Sequence, residues 1–430
     1  MKRVLFFLLS LISSFSFTQT VFFNHGTDVF VDAGAIIFVD GDVSDTVGGF
    51  IHNKGDIYLT RNWINEEPSG CLDPTTGKVW LTGASTQTIT GSKTRTFNNL
   101  DCKTSSKKIL YVNTIVGGNT GVLSLNNAPF DLNSKTLIVT NPLPSAITRS
   151  TGYIISETTP TVGYGIVEWK MGNTAAGNNY TYPFGTVSGT YIPFLYDLTK
   201  AGTQTTNGDI SVATYPTSVT ANPNNRPFPT GVTNLNDATG KDAAVSCLDR
   251  YWAVTANNYS SNPIANATFT YGDDEWDKSV SGTTNNLVSE TTLQAWKWSG
   301  SSWQNPPVGT DNATANTVAV TGVSGSAPWT LKGTELICGD FWLPDAFSPN
   351  GDLHNDVFVP RNNCVKDIDF KIFNRWGNIV FETTTVGQGW DGSIVGKSKD
   401  GNEGVYAYQI TGHLEDGKEI NQKGTVTLMK

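Results

Sequence analysis

The oxygen-bearing side chains of one short loop form the clearest pattern for binding chemistry. Asn350, Asp352, Asn355 and Asp356 lie around Gly351. Alternating oxygen ligands around a glycine resemble half of a calcium-binding loop, although the bidentate glutamate that closes such a loop is missing. Asn and Asp also form ordinary turns, because their side chains accept hydrogen bonds from nearby backbone amides. The sequence leaves calcium binding and a plain turn as alternatives, and no other cofactor is expected.

Motifs for catalysis are weak. The histidines are scattered along the chain and lack His-Glu-x-x-His spacing; they are His25, His52, His354 and His413. The sequence contains no Gly-x-Ser-x-Gly elbow. The paired carboxylates of a glycosidase leave no local motif, and Glu168 beside Trp169 is the first candidate for one. An exposed strand carboxylate is the simpler interpretation of Glu168, so we predict a protein that is not an enzyme, with a glycoside hydrolase as the alternative.

Three tryptophans in a predicted hairpin have two interpretations. Trp296 and Trp298 alternate onto one face of a strand, and a turn at residues 299–302 brings Trp303 opposite them. Such an aromatic group can form a platform for sugar rings. Cross-strand aromatic pairing within a hairpin is the simpler explanation.

A second acidic group flanks Trp276. It consists of Asp273, Asp274, Glu275 and Asp277. Because charged side chains are almost never fully buried unless they are paired, we interpret this group as a solvated hairpin tip. Metal or ligand binding is the lesser alternative.

The N-terminus has the pattern of a secretory signal peptide. Lys2 and Arg3 precede a short apolar run from Val4 to Leu11, and small polar residues follow through Thr18. This run is too short to span a bilayer. We therefore predict a signal peptide at residues 1–19, and no transmembrane segment is expected elsewhere.

The cysteines fit an oxidising compartment, where disulfides persist. Cys338 and Cys364 bracket the first predicted strand of the C-terminal region, and we predict a disulfide between them. Cys71 and Cys102 lie in turn-rich segments and form the second predicted pair. Cys247 is then left as a buried thiol.

Composition limits the class of partner. The chain has 430 residues and a net charge of −9, which argues against nucleic acid because nothing offsets the repulsion of the phosphates. The length suits two to four domains. A hydrophobic fraction of 38% with 16% charged residues is typical of a globular protein.

The pattern of short alternating runs divided by Gly, Asn, Asp and Pro predicts an all-β fold. In residues 20–178 the runs are short and the turns frequent, which favours a β-solenoid over an irregular sandwich. In residues 179–335 longer strands predict an immunoglobulin-like β-sandwich. Residues 336–430 are expected to form a second, small β-sandwich.

The C-terminal region carries several motifs in a fixed order. They are Phe-Ser-Pro-Asn-Gly-Asp at 347–352, Ile-Phe-Asn-Arg-Trp-Gly-Asn at 372–378, Trp-Asp-Gly at 390–392 and Gly-Val-Tyr-Ala-Tyr at 404–408. In this order they resemble the gliding-motility-associated C-terminal domain of Bacteroidetes, the type B sorting domain of the type IX secretion system. The chain departs from that family at Leu353 and His354, where small residues are usual.

This resemblance implies export to the outer cell surface or the medium. It also implies the type IX translocon as a partner, together with an outer-membrane barrel of the PorP/SprF kind. A sorting domain needs an exposed surface that the translocon can contact, and Phe347, Arg375 and Trp376 are the first candidates for outward display. For Arg375 and Trp376, a binding hot spot and a structural cation–π contact within the hairpin are equal alternatives. Asn350, Gly351 and Asp352 belong to the same predicted recognition surface. Trp390 and Tyr406 are expected in the core.

The sequence as a whole predicts an exported structural or adhesive surface protein. A surface glycan or other substratum is its possible ligand. The alternative is a surface protein that binds or degrades glycans.

Overall fold

A computed structural model describes residues 21–67, 76–158, 163–217, 225–277, 286–305, 309–336, 338–352, 354–362, 364–394, 401–414 and 417–429. The predicted signal peptide at residues 1–19 lies outside them. The chain divides into two compact units. The first comprises Met1–Thr214, Val254–Ala265 and Ser324–Ser326, and the second comprises Tyr215–Ala253, Asn266–Val323 and Ala327–Lys430.

The described residues form β-strands and a few 3₁₀-helices, with no α-helix among them. In the first half of the chain the strands are β1 (Val21–Asn24), β2 (Asp28–Val31), β3 (Ile36–Val39), β4 (Asp42–Asp45), β5 (Phe50–Asn53), β6 (Asp56–Leu59), β7 (Trp63–Asn65), β8 (Lys78–Leu81), β9 (Gln87–Gly91), β10 (Arg95–Phe97), β11 (Asn99–Cys102), β12 (Lys108–Leu110), β13 (Thr114–Val116), β14 (Leu123–Ser124), β15 (Pro129–Asp131), β16 (Thr136–Val139), β17 (Ile147–Thr148), β18 (Tyr153–Ile155), β19 (Ile166–Trp169), β20 (Asn179–Tyr182), β21 (Phe194–Lys200) and β22 (Thr203–Pro216).

The remaining strands follow in chain order. They are β23 (Arg250–Ser261), β24 (Ile264–Thr270), β25 (Gln294–Trp298), β26 (Trp303–Gln304), β27 (Thr310–Asn312), β28 (Thr317–Ser324), β29 (Ala327–Lys332), β30 (Ala346–Phe347), β31 (Val365–Phe373), β32 (Ile379–Thr383), β33 (Gly404–Leu414) and β34 (Glu419–Leu428). The 3₁₀-helices cover Pro144–Ala146, Ala244–Ser246, Asp273–Glu275, Glu290–Thr292 and Ala313–Ala315.

The first unit contains a parallel β-solenoid, as predicted. One face is the sheet β1-β4-β7-β9-β12-β15-β18, and a second is β3-β6-β8-β11-β14-β17. The third face is formed by the pair β2-β5 and by β10-β13-β16-β19. The chain visits the faces in turn, except that no third-face strand is described between β7 and β8, where residues 68–75 lie outside the described residues. Val21 pairs with Asp42 and Ile36 with Asp56, which places successive coils in register.

Residue alternation decides which side chains face the solenoid interior. In β5, β6 and β8 every second residue is buried, because successive strand side chains point to opposite faces. Ile57, Leu59, Val79 and Leu81 are interior residues of this kind. The frequent turns of the sequence therefore close coils around an apolar interior.

The interior also holds a buried ion pair. Arg95 and Asp45 are both fully buried, with Nη1 and Oδ2 3.3 Å apart. The guanidinium of Arg95 lies 4.6 Å from the ring centroid of Trp63 and donates a hydrogen bond to Asn65. Because an uncompensated buried charge costs several kcal/mol, these partners are required for Arg95 to be tolerated here.

The parallel stack ends at β19. This strand pairs antiparallel with β22, with Val167 opposite Val212, and β20 pairs antiparallel with β21. In the second unit, β25 pairs with β26 and β29, and β27 pairs with β28. The predicted boundaries at residues 178 and 335, and the immunoglobulin-like assignment of the middle region, stay predictions.

The C-terminal sheet has the order β30-β34-β33-β31-β32. Its strands pair antiparallel except β30 and β34, which are parallel. Its first strand, β30, has only two residues. The sheet packs on a core that includes Phe358, Phe370, Ile372, Trp390 and Ile410.

Candidate functional site

The turn between β31 and β32 is built by one asparagine side chain. Oδ1 of Asn374 accepts hydrogen bonds from the backbone N–H groups of Trp376 and Asn378, both at 3.0 Å. Gly377 supplies the left-handed backbone conformation, with φ of 78°, which glycine adopts without steric cost. This closed turn leaves Arg375 and Trp376 at its exposed tip.

Arg375 and Trp376 are displayed outward, as predicted. Trp376 exposes 74% of its surface, the largest fraction among the exposed large apolar residues of the described chain. The guanidinium of Arg375 lies 4.9 Å from the centroid of the Trp376 indole, within the range of a cation–π contact. An exposed aromatic ring beside an arginine is the composition that dominates binding energy at interfaces.

A pocket of about 350 Å³ opens beside this turn. Its apolar lining includes the buried residues Val380 and Tyr406. Its polar lining includes Asn402 and Glu403, and its rim includes the exposed Val405. Burial raises the pKa of Tyr406, and the positive charge of Arg375 opposes this rise. The site can therefore receive an apolar group beside a fixed cation.

Tyr406 connects the pocket to the core of the sheet. Its hydroxyl donates to the carbonyl of Asn402 at 2.8 Å, and its ring meets Trp390 edge-on at 4.7 Å. Trp390 is fully buried, as predicted, and donates from Nε1 to the carbonyl of Ser393 at 2.6 Å. The pocket floor is thus continuous with the hydrophobic core of this region.

The prediction for Phe347 was wrong. Its side chain is only 1% exposed and packs against Trp390 and Phe358, with ring centroids 5.2 and 5.9 Å away. In the two-residue strand β30, Ala346 is half-buried and Phe347 points into the core. A Phe next to a Ser-Pro-Asn-Gly turn looks like part of a loop, but the strand pairing with β34 turns it inward.

The loop at residues 350–356 hydrogen-bonds to itself. Oδ1 of Asn350 accepts from the N–H of Asp352, and Oδ1 of Asp352 accepts from the N–H of His354. Oδ1 of Asp356 accepts from the N–H of Gly351 at 2.8 Å, and Asn355 has a left-handed φ of 53°. These side-chain to backbone hydrogen bonds are typical of a plain turn, which was one of the two predicted alternatives for this loop. Calcium binding stays a prediction.

This geometry can be compared with known proteins. Residues 341–428 match the CHU_C Type IX secretion signal domain. This segment is a type IX secretion signal domain. It holds the Arg375–Trp376 turn, the pocket and the 350–356 loop, so the whole candidate site lies within it. The chain is therefore exported by the type IX system, to the cell surface or the medium.

The match covers only the C-terminal part of the chain. No curated protein and no solved structure matches the chain. No helix in the described part of the chain is both long enough and apolar enough to cross a bilayer. The signal domain therefore indicates the export route, and the family match does not extend to residues 1–340.

A disulfide links the segment just before the signal domain to the residue that precedes β31. Cys338 and Cys364 are bonded, with Cα atoms 5.6 Å apart, and this prediction is confirmed. Cys247 is a buried free thiol, as predicted. The second predicted pair is not supported, because Cys102 is a free thiol inside the solenoid; its expected partner Cys71 lies outside the described residues.

The predicted tryptophan hairpin forms, but its rings are buried. Trp298 pairs with Trp303 across the strands, and Trp296 stacks on Trp303 at 5.7 Å. All three side chains are almost fully buried. Cross-strand packing therefore explains this group, and the rings do not present a platform for sugars.

Only part of the acidic group at residues 273–277 is solvated: Asp273 and Asp274 are exposed, and they lie in a 3₁₀-helix and not at a hairpin tip. Glu275 is buried in a 3₁₀-helix and accepts a hydrogen bond of 2.5 Å from Nε of Arg250. Asp277 forms an ion pair of 2.5 Å with Lys366 of the signal domain. Sequence patterns missed both contacts because each partner is distant along the chain.

Glu168, the candidate glycosidase carboxylate, has a charged partner. Its carboxylate forms an ion pair with Lys170, which also contacts the buried Asp209 at 3.1 Å. Burial acts to lower the pKa of Lys170, but its hydrogen bonds to Glu168 and Asp209 and their negative charges together outweigh burial and raise the pKa. Lys170 therefore bridges the carboxylates of Glu168 and Asp209.

Proposed function

We propose that the protein is a structural or adhesive element of the outer cell surface, delivered by its signal domain. The observation that carries this proposal is the seven-stranded parallel face of the solenoid. Stacked coils form a rigid, extended surface of the kind that solenoid proteins use for binding. A surface glycan or other substratum is its proposed ligand.

The outward side of the solenoid supports an adhesive role. Tyr58 and Trp80 lie on adjacent coils with parallel rings 5.2 Å apart. Lys78 and Lys103 lie 4.3 and 5.3 Å from the Trp80 ring. Aromatic and cationic side chains held on a rigid sheet are suited to contact with an external surface.

We further propose that the Arg375–Trp376 turn and the 350–352 segment are the contact surface for the secretion machinery. An outer-membrane barrel of the PorP/SprF kind is the proposed partner within that machinery. The exposed ring, the adjacent cation and the pocket beside them support this assignment, because such groups concentrate binding energy.

A replacement experiment tests the structural or adhesive role. Residues 20–335 are exchanged for an unrelated globular reporter, while the N-terminal segment and the signal domain are kept. We expect this chimera to reach the cell surface but to lose attachment of the cells to their substratum. Unchanged attachment with the chimera would contradict an adhesive role. Lost turnover of a glycan, with unchanged attachment, would favour the enzymatic alternative.

A further inference from the structure

The first coil of the solenoid, residues 21–41 with strands β1, β2 and β3, exposes a concentrated group of apolar side chains. Val21, Phe23, Phe30, Ile36 and Phe38 each expose between 41% and 68% of their surface. Single exposed apolar residues are normal on soluble proteins, but this one short coil exposes five of them, with at least one on each of its three faces. These five lie on the three strands of one coil.

The same coil ends the three sheets. β1 and β3 are the terminal strands of the seven- and six-stranded sheets, and β2 is the outer strand of the pair β2-β5. Within the described chain, no strand pairs with their outer edges. Such edges present unpaired N–H and C=O groups that template further strand pairing.

Side-chain stacking along the solenoid also stops at the first coil. Phe30 stacks on His52 of the second coil at 4.5 Å, and the rings are nearly parallel. Phe38 pairs in register with Tyr58, which in turn stacks on Trp80. Phe30 and Phe38 are therefore the terminal members of two rows of rings that run along the solenoid.

We propose that the first coil is a homodimer interface, in which two copies of the chain meet end to end about a two-fold axis. The three strand edges would pair antiparallel with those of the second copy. Phe30 and Phe38 would then be covered on the side that faces away from the second coil.

The shape of the surface selects a second copy as the occupant. β1, β2 and β3 are each four residues long and lie on three different faces of the coil. A single extended peptide could pair with one of these edges, whereas a second first coil offers three edges of the same length. Residues 21–41 also provide about the 20–30 residues per side that a stable interface needs. A two-fold interface uses each edge once and closes at two copies.

Charge on the first coil gives the dimer a distinctive salt dependence. Asp28, Asp32 and Asp40 are exposed there. In the dimer these carboxylates repel those of the second copy, so added salt is expected to strengthen association by screening them. Association with a cationic partner would instead weaken as salt is added.

Sedimentation equilibrium of the purified full chain tests the proposal. We expect a reversible monomer–dimer equilibrium that salt shifts toward dimer. The variant Phe30→Lys/Phe38→Lys should raise the dissociation constant at least about tenfold, because two apolar contacts are lost and like charges are added. The matched control is Tyr111→Lys/Val187→Lys, at positions that are 50% and 62% exposed elsewhere in the first unit; it should dimerise like the wild type.

Circular dichroism and hydrogen exchange establish that both variants are folded. A wild-type chain that stays monomeric at every concentration would overturn the proposal. Protection of the β1–β3 amides in that monomer would show that another part of the same chain covers the coil. Open-ended oligomers, or equal dissociation constants for the variant and the control, would also overturn it.

Discussion

The guanidinium of Arg375 lies 4.9 Å from the ring centroid of Trp376 at the tip of a turn that Asn374 holds closed. Both side chains are exposed, so neither contributes much to the core of the signal domain. Their position is nevertheless fixed, because Asn374 binds the backbone on either side of Gly377. Asn374 and Gly377 therefore fix the backbone of the turn, while the side chains of Arg375 and Trp376 lie on the surface.

Substituting the exposed pair should impair export without unfolding the domain. We expect Arg375→Ala/Trp376→Ala to lower the exported fraction about tenfold, because such pairs dominate interface energy. The unfolding free energy should change by no more than about 0.5 kcal/mol, as for other surface substitutions. Fractionation of cells and denaturant unfolding of the purified chain measure the two effects.

The control for this pair is Val386→Ala, at another exposed apolar residue of the signal domain. This variant should be exported like the wild type. If the control and the Arg375–Trp376 variant are exported equally well, the turn is not a contact surface for the secretion machinery.

Substituting a core residue of the signal domain should lower its stability, unlike substitution of the exposed pair. Trp390 is fully buried against Phe347 and Tyr406, and Trp390→Ala should destabilise the domain by about 3–5 kcal/mol. Limited proteolysis should then cleave residues 338–430 faster than in the wild type. A variant with wild-type resistance to protease would show that this core does not hold the domain together.

Loss of the Cys338–Cys364 disulfide should destabilise the signal domain. The bond closes a loop with a sequence separation of 26 residues, for which chain entropy gives about 3–4 kcal/mol. Cys338→Ser/Cys364→Ser should therefore unfold at a lower denaturant concentration, and reductant should reproduce the shift in the wild type. Cys247→Ser is a control for thiol loss, and reductant should still shift its unfolding midpoint. A wild-type midpoint that reductant leaves unchanged would contradict the prediction.

Lys108 should give the solenoid a characteristic pH dependence. Its ammonium is buried and donates to Gln87, Thr104 and Ser106 at 2.9, 3.0 and 2.6 Å. Burial lowers the pKa of Lys108 from 10.5 to about 8. The unfolded chain therefore binds more protons than the folded chain between these values, and stability rises with pH across that window.

The effect of Lys108 can be isolated by substitution. Between about pH 7 and about pH 10, we expect the wild type to gain up to about 3 kcal/mol relative to Lys108→Met, which lacks the titrating group. Denaturant unfolding at several pH values measures this difference. A constant difference between the two proteins over that range would show that Lys108 keeps an ordinary pKa.

The sequence predicted the fold class because its signals are local. Short strands divided by Gly and Asn turns mark a solenoid, and the structure confirms parallel coils with alternating burial. The buried ion pair of Arg95 and Asp45 could not be predicted in this way. Its two residues are brought together by the stacking of coils, and coil register was not fixed by any single repeat length.

The candidate site was predictable to a similar extent. The exposure of Arg375 and Trp376 and the burial of Trp390 and Tyr406 were expected from the resemblance to a sorting domain, and the structure agrees with both. The inward position of Phe347 was missed because it depends on pairing between β30 and β34. The ion pair of Glu275 with Arg250 was missed for the same reason, since long-range contacts leave no local pattern.

Transfer of the signal domain to a foreign protein tests the central claim most directly. Residues 336–430 are fused to an unrelated reporter that carries an N-terminal secretory signal, in cells with and without a working type IX system. We predict that the fusion reaches the surface or the medium only in cells with the working system. Retention of the fusion inside those cells, or equal export from both kinds of cell, would contradict the claim.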